Sequence, residues 1–264
     1  MTNRFHKLEL EPSRQQAELP LKSSTSQDQQ HDLHDASHWM GTADRSRRSG
    51  LFEDALRYYS RAVERDRSLV RGWVGQVQML IALAEFREAE LWARKALELF
   101  RNHAELQAAR AQALGRDGDI KQAQAACDAA LAQPGESPYP WMVRGDLMLA
   151  RKDALEQHCF DKAVQLDHDW LVLIEIAAIY LYYRRYANAL VRCRQAVEQA
   201  PDQAYCWYQQ GYCQSRMGLG KPARLSLKQC LDLEPKHAQA RQCLKELDGP
   251  GPVKRALGRF FGRG

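Results

Sequence analysis

Three histidines pose the first chemical question. His31, His34 and His38 stand at i, i+3 and i+7, which is one face of a helix, and imidazoles so placed can bind zinc or nickel. No fourth ligand stands beside them, and they straddle the end of a polar segment, so the spacing predicts no metal site. The seven cysteines form no CxxC pair and their number is odd, which points to free thiols in a reducing compartment. Cys127, Cys193 and Cys230 stand where a small apolar residue packs; Cys206 and Cys213 share a helical face and can approach Cys243 at the C-terminal end. The sequence holds no GxxxxGK[ST], GxGxxG, HExxH or GxSxG. Asp117-Gly-Asp119 reads as a turn. The expectation is a protein without catalytic residues and without a cofactor.

Positive charge is concentrated at one end. Residues 249–264 begin with Gly-Pro-Gly-Pro and continue with Lys254, Arg255, Leu257, Arg259, Phe260, Phe261 and Arg263, with no acidic side chain. On a helix, Val253, Leu257 and the Phe pair would lie opposite the bases, the pattern of a membrane-surface or partner-docking segment. Each base near an anionic bilayer is worth about 1 kcal/mol. Membrane contact, docking on a protein (its own groove included) and an inert tail all stay open. Residues 1–35 are polar, carry a net charge of −2 and lack apolar periodicity, so they read as a flexible arm with one apolar spot at Phe5, Leu8 and Leu10.

Residues 36–248 must supply the scaffold. The chain of 264 residues is 45% apolar with a net charge of +5, enough for a packed core and too mild a charge to call for nucleic acid. The most apolar stretch, Leu171 to Tyr183, contains Glu175 and falls short of the about 20 residues a bilayer span needs, so it predicts a buried helix. With no signal-peptide core at the N-terminus, the expected location is the cytoplasm.

Self-similarity then organises the text. A small residue recurs at Ala62, Ala96, Ala130, Ala163, Ala196 and Cys230, at steps of 33 or 34. Seven residues earlier stand Ala55, Ala89, Ala123, Ala189 and Ala223, with Glu156 as the exception. Tyr59, Ala93, Cys127, Phe160, Cys193 and Leu227 lie between the two columns. An aromatic column holds Trp39, Trp73, Trp141 and Trp207, with Gln107 and Leu173 in its gaps. The i, i+4, i+7 spacing puts each second-helix triplet on one face. Small residues there let helix axes approach closely, and hairpins that cannot bury their apolar faces alone must stack. Gly50, Gly118 and Gly218 mark turns within periods; Pro134, Pro201 and Pro235 mark turns between them.

The 34-residue period, the Trp-x-x-x-Gly start at Trp141 and Trp207, the Ala-x-x-x-Tyr-x-x-Ala second helix at Ala55–Ala62 and the closing Pro resemble tetratricopeptide repeats. The resemblance covers six repeats and a capping helix near 238–247. It implies an all-α, right-handed superhelical solenoid whose first helices line a concave groove for a partner's peptide or helix. Inner-face positions would then be Met40, Asp44, Arg47, Arg48, Val74, Gln78, Ile81, Ala108, Gln112 and Arg116 in the first half. In the second they would be Met142, Asp146, Leu149, Ile174, Ala178, Leu181, Tyr182, Tyr208, Tyr212 and Arg216. The second half is richer in Tyr and apolar residues, so Met142, Asp146, Ile174, Leu181, Tyr182, Tyr208, Tyr212 and Arg216 are the expected partner contacts. The Lys, Asn and Arg that chaperone-binding members use to grip a terminal carboxylate are missing: Met40, Asp44, Val74 and Gln78 stand there instead. Helical repeats of this length also bind RNA, but Asp44, Glu105 and Asp146 interrupt any basic stripe and residues 36–248 carry only +3. The expected function is a non-catalytic protein-interaction adaptor, with membrane recruitment through the tail as the alternative.

Overall fold

Alternating helix and turn text becomes helix hairpins. The computed structural model describes residues 35–248. The arm expected over 1–35, Asp35 excepted, and the tail over 249–264, with Lys254, Arg255, Leu257, Arg259, Phe260 and Phe261, lie outside the described residues. Within them the chain is all α. Six pairs follow in order: α1 (Ala36–Arg48) and α2 (Phe52–Arg65), α3 (Val70–Ala82) and α4 (Phe86–Leu99), α5 (Ala104–Asp117) and α6 (Ile120–Leu131). Then come α7 (Tyr139–Ala150) and α8 (Glu156–Leu166), α9 (Trp170–Tyr182) and α10 (Tyr186–Gln199), α11 (Ala204–Arg216) and α12 (Gly220–Leu233). The capping helix α13 (Ala238–Asp248) closes the series.

Local chemistry starts and stops these helices. Asp35, Asp119 and Asp169 cap α1, α6 and α9, each accepting a first-turn backbone N–H. Glu156, the exception in the small-residue column, is the first residue of α8, where the helix dipole favours an acid. Pro140 and Pro222 are the second and third residues of their helices, positions whose N–H groups need no intrahelical partner.

The columns form the core. Ala55, Ala62, Ala89, Ala96, Ala123, Ala130, Ala163, Ala189, Ala196, Ala223 and Cys230 are buried, as are all six residues between the columns. Close approach is tight: a Cβ on Gly75 would sit 2.6 Å from the Tyr59 ring, and one on Gly145 would sit 2.4 Å from the Phe160 ring. The Trp column is less uniform. Trp73 is 3% exposed and Trp207 half-buried. Each donates its indole N–H to the carbonyl six residues earlier, Arg67 and Pro201. Trp73→Ala is therefore expected to cost about 3–5 kcal/mol and Trp207→Ala distinctly less, as urea unfolding of the two variants would report.

The solenoid does not leave its inner curve open. The end of α1 reaches across to the fifth repeat, where Arg47 pairs with Glu175 and Arg48 with Asp169. Phe52 meets Tyr205 of the sixth repeat edge-on at 6.4 Å, and Phe86 meets Tyr182 at 6.2 Å. A side chain on Gly50 would strike the Tyr205 ring. The first two repeats thus close onto the fifth and sixth, contrary to the free groove expected from the sequence. Four long side chains and two aromatic pairs bridge a curve tight enough to bring them within reach.

Candidate functional site

The crossing contact divides the inner face into two cavities. Arg47, Gln78, Tyr139, Met142 and Glu175 line both and form the partition. Burial alone would lower the Arg47 pKa; the Glu175 carboxylate outweighs it and holds the guanidinium above its ordinary value.

One cavity, of about 250 Å³, is polar. Asp44, Glu105, Asp167 and Asp169 face Arg48 and Arg71 across it. These groups are largely spent on each other: Tyr59 donates to Asp44 at 2.6 Å, Ser137 to Glu105 at 2.6 Å, and Arg48 holds Asp169. Desolvation pushes the Asp169 pKa up, but the hydrogen bond from Arg48 overrides it, so the carboxyl titrates below its usual 3.8. A depressed carboxyl stabilises the folded state above its unfolded pKa, and that contribution is lost as pH falls through the folded value. Acid titration should loosen the contact of α1 with α9 below about pH 4, read as hydrogen exchange rising first in residues 44–52 and 167–175.

The other cavity, of about 370 Å³, is apolar. Phe52, Ile81, Phe86, Ala178, Leu181 and Tyr182 supply most of its wall. Tyr182 stands at its edge, 47% exposed. Arg116 lies 3.5 Å from its ring centroid, while Phe86 and Tyr183 meet its edges. An exposed aromatic fixed from three sides has little entropy left to lose on binding.

Beneath that shelf lies a buried network. Arg116 pairs with Asp146 at 2.8 Å, with side-chain exposures of 7% and 2%. Asp146 also accepts from Gln112 and from Tyr183, each at 2.7 Å, and Gln112 accepts from Tyr139. Burial and the Asp146 carboxylate together push the Tyr183 hydroxyl far up, so it remains a donor. Repeats three, four and five are thereby bolted at the level of the shelf.

The sequence-predicted contacts separate accordingly. Met142, Leu181 and Tyr182 line the cavities. Asp146 does not face a partner, because Arg116, Gln112 and Tyr183 consume it. Ile174 is 2% exposed and belongs to the core of an all-round apolar helix. Tyr208 serves the cap: its ring meets that of His237 at a tilt, centroids 4.8 Å apart, and burial raises its hydroxyl to about 12. Tyr212 packs with it against Leu227, Cys230, Ala240 and Cys243. Arg216 points outward, bonded to Tyr186 at 3.4 Å. The residues missed were Phe52, Phe86 and Tyr205, which lie at helix starts, where only the closure of the curve makes them neighbours.

The cysteines are all buried, and the close pair is Cys193 with Cys213 at 3.8 Å rather than Cys206 with Cys213. Burial raises the Cys127, Cys206 and Cys230 thiols to about 12, which keeps them protonated. Among the described residues no group of three or more His, Cys, Asp or Glu side chains is placed to hold a metal, and no helix is long and apolar enough to cross a membrane.

Six consecutive hairpins bury one small residue each, Ala62, Ala96, Ala130, Ala163, Ala196 and Cys230, in the same register, and a cap ends them. The fold is a tetratricopeptide-like solenoid. No protein-family model and no curated protein matches the sequence. Among solved structures, a tetratricopeptide repeat protein from Parabacteroides merdae aligns at 16% identity with a TM-score of 0.49, over 84% of this chain and 88% of that one. A chain of the APC/C Cut9-Hcn1 hetero-tetramer aligns at 16% identity with a TM-score of 0.48, over 83% of this chain; this chain spans 44% of that one. YrrB, described as a TPR protein with an unusual peptide-binding site, aligns at 20% identity with a TM-score of 0.41, over 71% and 97%.

Proposed function

We propose that this solenoid is a non-catalytic interaction module that holds a segment of another protein in the apolar cavity of its inner face. One observation carries the reading: Tyr182 is exposed at the cavity edge yet immobilised by Arg116, Phe86 and Tyr183. Exposed, pre-ordered aromatics beside an apolar recess are what binding hot spots are made of. The partition limits the ligand to a short segment seated at one end rather than a chain threaded along the whole curve.

A photo-crosslinking side chain at position 182 of the full chain, compared with one at the outward-facing Lys228, tests this. The expected result is a discrete adduct with a partner from position 182 that disappears when Ala178→Trp fills the cavity. Equal adducts from both positions, or adducts indifferent to the filled cavity, would contradict it.

The tail supports a second, separable role in recruitment to membranes, since its sequence sets four bases against a Phe pair. Flotation of the full chain with anionic liposomes, lost on deleting residues 253–264, is the expected result; flotation that survives the deletion removes this role.

A further inference from the structure

Each hairpin turn places one residue in the left-handed region. Those residues are Gly50, Ala84, Gly118, Lys152, Arg184 and Gly218, with φ of 71°, 63°, 102°, 60°, 57° and 76°. Glycine adopts this conformation freely, while a side chain there costs about 1 kcal/mol or more. Half of the turns use glycine. The fourth and fifth instead hold long basic residues, each beside a second base, as Arg151-Lys152 and Arg184-Arg185. Persisting strain at a surface turn asks what the side chain is for.

Their place suggests an answer. Arg184 and Arg185 follow Leu181 and Tyr182, which line the apolar cavity. The Tyr183–Asp146 bond ties α9 to α7, so the Arg151-Lys152 turn belongs to the neighbouring helix end. All four bases are exposed and form no ion pair among the described residues. The acids of the nearby turns offset them only in part: Asp117 lies 3.4 Å from Arg87 and Asp119 caps α6, and Asp153, Glu156 and Glu85 leave the four bases in excess. Inside, the Gln78 Oε1 atom is buried without a hydrogen-bond partner in the partition.

We infer that the cavity takes an acidic segment of another protein, with one bulky apolar side chain as anchor and Asp or Glu residues flanking it toward the Lys152 and Arg184 turns. The chain's own tail is excluded by charge, since it carries four bases and no acid. This inference rests on the proposed use of the apolar cavity and adds the ligand's chemistry.

The test pans a random peptide library displayed on phage against the full-length protein, then measures the best peptide by fluorescence anisotropy. Enrichment of an aromatic or leucine anchor flanked by Asp or Glu is expected. Lys152→Gly/Arg184→Gly should weaken that peptide by about tenfold or more while leaving the melting temperature equal or higher, because glycine relieves both turns. Peptides without acidic bias, or unchanged binding to the glycine variant, would overturn the inference and leave the cavity reading standing. Unchanged binding to Ala178→Trp and to Ala82→Trp, which fill the cavity from opposite walls, would remove the cavity reading itself. Enrichment that arises only after deletion of residues 1–34 would assign the cavity to the chain's own arm and overturn the inference.

Discussion

Arg116→Ala is expected to lower the stability of the solenoid by about 3–5 kcal/mol, the range for stranding one partner of a buried ion pair. The exposures of 7% and 2% decide this magnitude, because both charges are shielded from water in the intact pair. The loss has a second part: Arg116 underlies the Tyr182 ring, so the aromatic shelf loses its support. Asp146→Ala removes the acceptor of Gln112 and Tyr183 and should also be costly. The double variant should lose less than the two single losses combined, since neither charge is then left alone. Urea unfolding of the four proteins measures the cycle. Additive losses would mean that the pair is solvated.

Phe160→Ala is the second large loss, expected at about 3–5 kcal/mol for a fully buried phenyl ring. Phe160 fills the space left by Gly145 and meets Tyr180 edge-on at 5.0 Å, so its removal opens a void between α7, α8 and α9. Gly145→Ala attacks the same contact from the other side, and overpacking of this kind costs about 1–3 kcal/mol. The two sites are coupled: Gly145→Ala should be less damaging in a Phe160→Leu background than in the parent chain. Thermal unfolding of the two singles and the double decides it, and a penalty for Gly145→Ala that ignores residue 160 would place the ring elsewhere.

The repeat scaffold was legible because it is written locally. Ala55, Tyr59 and Ala62 share one helix face by spacing alone, and each later repeat rewrites the same face within 34 residues. The inner-face positions were those the tetratricopeptide resemblance implies, and most of those named in the first half do line the cavities. The closure was not legible. Arg47 and Glu175 are 128 residues apart, and nothing in the text around either marks the other. Asp146 illustrates the difficulty: its register places it on the inner face, but register does not say that Arg116 of the preceding repeat reaches it. The strained turns were hidden for a simpler reason. Gly50, Gly118 and Gly218 announce a left-handed residue, whereas Lys152 and Arg184 occupy the same conformation without the residue type that signals it.

The first two repeats close onto the fifth and sixth and so make two cavities of one groove. Spin labels on Leu51→Cys and Asp202→Cys, both exposed and next to the Phe52–Tyr205 contact, read it directly, since the seven native thiols are buried. One narrow, short-distance population is expected in the parent chain, lengthening and broadening in Arg47→Glu/Arg48→Glu. A broad, long-distance population in the parent chain, unchanged by those substitutions, would contradict it.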